Sequence, residues 1–135
     1  VDLSAQAAVY AQLYRDGAYV TSGYEAAGTE INDGSSWLKI YGSKSAIFCA
    51  YADSDEPAGA NHNMRVWLYN PASVTSFQTV AVLADYYNSN GSIAKAYITS
   101  GLKSDYDEAI TGIKFYPSSG NFETGTVRMY GYNAT

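Results

Sequence analysis

Residues 109–131, AITGIKFYPSSGNFETGTVRMYG, decide the fold class of this 135-residue chain. Ile113 and Phe115 alternate with Lys114, and Val127 and Met129 alternate with Thr126, Arg128 and Tyr130. A period of two puts apolar residues on one face of an extended strand and polar or aromatic residues on the other. Between the runs stand Pro117, Gly120, Asn121 and Gly125, suited to a tight reversal because Gly and Asn tolerate positive φ. The stretch predicts a closing β-hairpin. Ile110 and Ile113 lie three apart, so both face one core only if Thr111-Gly112 forms a bulge. Gly112, Gly120, Asn121 and Gly125 are thus the expected structural turn and bulge positions.

Upstream, the same alternation marks short strands at 37–41, 46–51, 65–69, 77–84 and 93–99, with 110–116 and 126–132 as the terminal pair. Clusters rich in Gly, Asn, Asp and Ser separate them: Asn32-Asp33-Gly34-Ser35, Asp53-Ser54-Asp55-Glu56-Pro57, Asn88-Ser89-Asn90-Gly91-Ser92 and Ser100-Gly101. With one more strand from the N-terminal third, the pattern predicts an all-β, antiparallel β-sandwich, jelly-roll-like, of about eight strands. Residues 1–24 read two ways. Leu3, Ala7, Tyr10 and Tyr14 keep helical spacing behind a Ser4 cap, whereas Val9, Ala11 and Leu13 alternate as in a strand. This segment is either an arm or short helix, or a piece packed on its own sandwich, with Asp16-Gly17 as the turn that follows.

At this length a single domain spanning residues 1–135 is expected, large enough to bury a core without staples. One cysteine, Cys49, excludes an intrachain disulfide framework and any multi-cysteine metal site. The net charge of −5 opposes nucleic-acid binding, which needs cations against phosphates, and disfavours anionic membranes. No apolar run approaches the roughly 18–20 residues of a membrane helix. Val1-Asp2-Leu3-Ser4 shows no basic region leading into an apolar one, so no signal peptide is expected. A chain starting at Val1 fits a small whole protein that has lost its initiator Met, the alternative being a cleaved fragment.

The residues of catalysis are sparse. His62 is the only histidine, flanked by Asn61 and Asn63, and no Gly-x-Ser-x-Gly elbow presents a serine to it. Cys49 sits in the apolar run Ile47-Phe48-Cys49-Ala50-Tyr51, where a thiol serves as a small hydrophobe. Asp53-x-Asp55-Glu56 lacks the full ligand spacing of a calcium loop, and Asp105-Tyr106-Asp107-Glu108 reads as a charged turn. Asn90-Gly91-Ser92 and Asn133-Ala134-Thr135 match the glycosylation pattern only weakly. No catalytic residue, metal or cofactor is expected.

Aromatic residues carry more. Fourteen tyrosines against four phenylalanines suit half-buried strands and interfaces, since Tyr joins a large apolar ring to a polar tip. Within 37–41, Leu38 and Ile40 are expected inward, with Trp37 and Tyr41 outward beside Lys39. Within 65–69, Val66 and Leu68 are expected inward, with Trp67 and Tyr69 outward beside Arg65. Trp37, Tyr41, Trp67 and Tyr69 are therefore the candidate partner contacts.

Ile110-x-x-Ile113-x-Phe115, Ser119-Gly120-Asn121-Phe122 and Gly125-Thr126-x-x-x-Tyr130-Gly131 together resemble the C-terminal signature of a family of tailed-bacteriophage virion structural domains. Arg65-Val66-Trp67-Leu68-Tyr69-Asn70-Pro71 resembles that family's mid-domain strand ending in Asn-Pro, and Tyr132 departs from its usual Ile or Leu. Residues 1–60 carry no such likeness. The resemblance implies a non-enzymatic virion protein, made in the host cytoplasm. Single-domain size points within that class to a capsid decoration (cement) protein on the outer shell. Its expected partners are copies of itself and the major capsid protein, with no nucleic acid and no membrane. The alternative is a tail-fibre or tail-tip module that binds a host glycan. A polysaccharide-degrading enzyme is the weakest reading, because no acid/base pair stands out.

Overall fold

The computed structural model describes residues 2–3, 7–32, 35–52, 63–87, 93–102 and 107–131. In chain order the strands are β1 (Asp2–Leu3), β2 (Ala7–Arg15), β3 (Ala18–Tyr19), β4 (Tyr24–Asn32), β5 (Ser35–Lys44) and β6 (Ile47–Ala52). There follow β7 (Asn63–Tyr69), β8 (Thr79–Tyr87), β9 (Ile93–Leu102), β10 (Gly112–Pro117) and β11 (Phe122–Thr124). No helix occurs among the described residues, hence none able to cross a membrane. Setting aside the very short β1, β3 and β11, eight strands form the two antiparallel sheets of a β-sandwich.

The large sheet runs β5-β4-β9-β8-β7. Its periodicity is clearest in β9, where Ala94, Ala96, Ile98 and Ser100 are buried while Ile93, Lys95, Tyr97 and Thr99 are exposed. Directly paired residues share a face. The buried row of β9 therefore continues into Val80, Val82, Ala84 and Tyr86 of β8, and into Met64, Val66 and Leu68 of β7. Against this inner face pack Val9, Ala11 and Leu13 of β2 and Ile47 and Cys49 of β6, all in one buried cluster. Full burial of a Leu, Ile or Val side chain stabilises by about 1.5–3 kcal/mol.

β4 is a strand that sequence alternation does not mark. Tyr-Glu-Ala-Ala-Gly-Thr-Glu-Ile-Asn lacks the large alternating hydrophobics of its neighbours. It lies between β5 and β9, and closeness replaces bulk: a Cβ on Gly28 would stand 2.4 Å from the Tyr97 carbonyl oxygen and 2.7 Å from Ile98 Cα.

In the small sheet β10 pairs with one edge of β2, while β6 and β3 share the other. Residues 7–13 are thus in a strand, not a helix, and the N-terminal segment packs at home. Tyr10 and Tyr14 are four apart, which suits one face of a strand as well as one face of a helix. The alternation of Val9, Ala11 and Leu13 prevails because those residues fill the sandwich core. The Asp16-Gly17 turn that follows has φ of 46° and 75°, the left-handed pair a two-residue hairpin needs. β6 reaches along β2 only to Ala11, and β3 starts at Tyr14. Main-chain groups in the gap find other partners. The Tyr24 hydroxyl accepts from the Leu13 amide at 2.9 Å and donates to the Val20 carbonyl at 3.1 Å. Gln12 Nε2 donates to the Ser45 carbonyl at 2.8 Å.

The C-terminal hairpin is where structure and expectation part. β10 forms, but β11 does not fold back on it. Pro117 pairs with Val9, and seven residues further on Thr124 pairs with Asp2, seven residues before Val9. β11 therefore prolongs β10 along one ladder, broken by a bend at 118–121. Ser118 holds the bend to β2: its amide donates to the Ala8 carbonyl at 2.8 Å, and its Oγ accepts from the Ala8 amide at 3.0 Å. Gly120, at φ 67°, is the left-handed point of this bend, with Asn121 beside it. Pairing with β1 carries the chain onward instead of reversing it. Gly125 leads into residues 125–131, which are not in a strand. β2 and β10 pair one to one from Gly112 to Pro117, and just ahead of that ladder the Thr111 amide donates at 2.9 Å to the carbonyl of Tyr14, the residue opposite Gly112. Ile110 reaches the core from ahead of β10, its amide bound to the Pro71 carbonyl at 2.7 Å.

Candidate functional site

The sheet face turned away from the core carries the most informative surface. β7 is an edge strand whose odd-numbered residues point outward, leaving Trp67 37% and Tyr69 50% exposed beside Arg65. Register extends this face inward along the sheet. Arg65 stands opposite Leu83, which pairs with Tyr97 and then Thr29. Trp67 stands opposite Ala81, which pairs with Thr99 and then Ala27. Ala81 is only 5% exposed although it lies in this outward row, so the larger side chains around it, Trp67 directly across, shield it. Tyr97, Ile31 and Ile93 are exposed on the same face. Its charges include the surface pair Lys95 Nζ–Asp85 Oδ1 at 3.3 Å, worth no more than about 1 kcal/mol. Aromatic rings, an arginine and few uncompensated charges are the make-up of a protein-binding surface.

Trp67 and Tyr69 thus lie on this open face, but the four expected residues do not make one patch. β5 and β7 are opposite edges of a five-stranded sheet. Register also sets Trp37 opposite Glu30 and Tyr41 opposite Ala26, in the rows of Ala96 and Ser100. Leu38 and Ile40, expected inward, stand opposite Thr29 and Ala27, in the rows of Tyr97 and Thr99. The side chains of Trp37 and Tyr41 lie outside the described residues.

A second aromatic group, which sequence reading missed, covers the outer face of the small sheet. Tyr10 meets Phe48 edge-on at 6.1 Å between ring centroids and Tyr116 at 5.9 Å, and Tyr14 meets Tyr19 at 4.9 Å. Lys114 Nζ lies 4.1 Å from the centre of the Tyr19 ring and 5.2 Å from that of Tyr116. The available signal was Tyr10-x-Gln12-x-Tyr14 read with a period of two. These rings satisfy one another and the lysine, which makes them a cladding for β2. Burial, then the neighbouring Tyr10, raises the pKa of Tyr116.

Among the described residues no chemically reactive arrangement is in view. Among the described residues no three His, Cys, Asp or Glu side chains are placed to hold a metal. Cys49 is wholly buried and its thiol is pushed up to about 12 by that burial, so it stays protonated at neutral pH. An open cleft of about 430 Å³ beside β3 gathers Arg15, Asp16, Asp107 and Glu108 without a histidine or cysteine. His62, the Asp53–Glu56 run and both glycosylation-like triplets lie outside the described residues. Comparison with protein-family models, with curated proteins and with solved structures returns no match for this chain.

Proposed function

We propose that this chain is a non-enzymatic structural protein of a tailed-phage particle, and that it decorates the outside of the capsid by docking the open face of its large sheet onto the shell. The observation that carries the docking is the exposure of Trp67, Tyr69, Tyr97, Ile31 and Ile93 on one face. Large rings bury much area at little rotamer cost and serve as anchors in interfaces. The particle assignment rests on the resemblance of residues 109–131 and 65–71 to virion structural domains. Binding only the assembled shell would stabilise it by RT ln(1 + [L]/Kd), summed over many copies.

The test is a pull-down on DNA-filled particles stripped of this protein, comparing wild type with Trp67→Ala. Loss of a central anchor costs on the order of 2 kcal/mol, about a thirtyfold rise in Kd. Equal binding by both chains would remove the face from the mechanism. The second reading, a tail-fibre or tail-tip module, is favoured by the same exposed Trp67 and Tyr97 rings, on which sugars can stack. Binding to host cells or their glycans, with none to capsids, would transfer the assignment there.

A further inference from the structure

Residues 126–130 read as a strand, yet among the described residues no strand pairs with them. Val127 and Met129 alternate with Thr126, Arg128 and Tyr130, and Val127, Met129 and Tyr130 are 71%, 79% and 73% exposed. β11 ends opposite Asp2, the first residue of β1, and heads away from β10, so reaching its own β10 would require a full reversal at Gly125. The complementary feature lies on the same molecule. β10 is bonded along one edge to β2, and no strand occupies its other edge among the described residues. All six of its residues are half-buried, with Ile113 and Phe115 packed on the core from outside.

We propose that residues 126–131 are a donor strand that adds, antiparallel, to the outer edge of β10 in a second copy of this chain. Strand addition of this kind takes affinity from main-chain hydrogen bonds and specificity from alternate side chains. The lengths are comparable, and the parity agrees: Val127 and Met129 extend the inner row of Ile113 and Phe115. Charge selects the register. Setting Val127 opposite Phe115 would place Arg128 against Lys114, a repulsive pair. Shifting by two sets Met129 opposite Phe115, Arg128 opposite Tyr116 and Tyr130 opposite Lys114, so that each cation meets a ring. A second copy is the occupant because every chain carries both the unpaired strand and the edge it fits, and exchange between copies uses nothing else.

The inference is independent of shell binding and is tested on the purified full-length chain alone. A tagged Lys114→Cys chain is mixed with an untagged Tyr130→Cys chain under mild oxidation. A disulfide-linked heterodimer is expected, with buried Cys49 taking no part. In a chain carrying both substitutions, dimers and higher ladders are expected; a bond closed within one chain would overturn the proposal. Sedimentation across a concentration series supplies the second measurement. Met129→Pro removes an N–H that this register turns toward β10, opposite Phe115, and should weaken self-association at least tenfold without unfolding the sandwich. Equal association of wild type and Met129→Pro, or a wild type monomeric at its highest soluble concentration, would also overturn it.

Discussion

Removing a single oxygen atom, in Tyr24→Phe, should unsettle the seam between the two sheets. Tyr24 belongs to β4 of the large sheet, yet its hydroxyl serves main-chain groups on and beyond β2 of the small one. The variant keeps the buried ring and deletes both hydrogen bonds. Leu13 is wholly inaccessible, so its amide would be left without a partner, at about 1–3 kcal/mol. Val20 is half-buried, and its carbonyl can turn to water at smaller cost. A loss of about 2 kcal/mol corresponds to roughly 7 °C in Tm for a domain of this size. Thermal unfolding followed by circular dichroism, with hydrogen exchange at Leu13, reads both consequences. Burial raises the Tyr24 pKa above its usual 10.0, so the tyrosine's advantage is present below that pH and is lost as pH climbs through the native value. A variant melting within about 2 °C of wild type, with the Leu13 amide still protected, would refute the reasoning.

Gly28→Ala should destabilise by at least 1–3 kcal/mol, the usual scale of overpacking, because the new methyl meets the main chain of β9 and not a movable side chain; urea midpoints check this. Cys49 keeps its proton to about 12 in the native state against 9.0 for an ordinary thiol, so stability present below pH 9 falls as the pH rises, by on the order of 1 kcal/mol at pH 10. Urea titrations at pH 7.5 and 10 should show that component in wild type and not in Cys49→Ala; identical losses would contradict it. Trp67→Ala should lower Tm by only a few degrees, since a ring 37% exposed contributes less than a core residue, while weakening capsid binding about thirtyfold.

Legibility in the sequence followed side-chain contrast. The sandwich was readable from short apolar-rich runs set off by turn clusters at β7, β8 and β9, most clearly where Met64, Val66 and Leu68 of β7 alternate with Asn63, Arg65 and Trp67. β4 was not, because a strand between two close neighbours can be made of Ala, Gly and Glu, and its evidence lies in the strands beside it. The bend at 118–121 shows a different limit. Pro-Ser-Ser-Gly-Asn suits a reversal and equally a kink in a continuing ladder; the choice is made by β1, more than a hundred residues away. The aromatic surface divides likewise. Trp67 and Tyr69 lie outward as the alternation of β7 expects, whereas the rows of Trp37 and Tyr41 depend on how β5 pairs with β4, a long-range fact no local pattern contains.

The ladder joining β2 to β10 has a consequence in time. Tyr14 and Gly112, paired in the sheet, are 98 positions apart in the chain. During synthesis β2 emerges early, with Ala7, Ala8, Val9, Ala11, Gln12 and Leu13 all buried in the finished sheet, and one of its edges stays unmatched until nearly the whole chain has been made. Pairings this distant are slow to find, because loop closure must come before any contact can reward it. The small sheet is thus the last part to close although its central strand is among the first to appear. Expression yield and refolding yield should therefore be governed by what shelters those residues in the interval, and a short apolar strand left waiting is the point from which aggregates of this protein would grow.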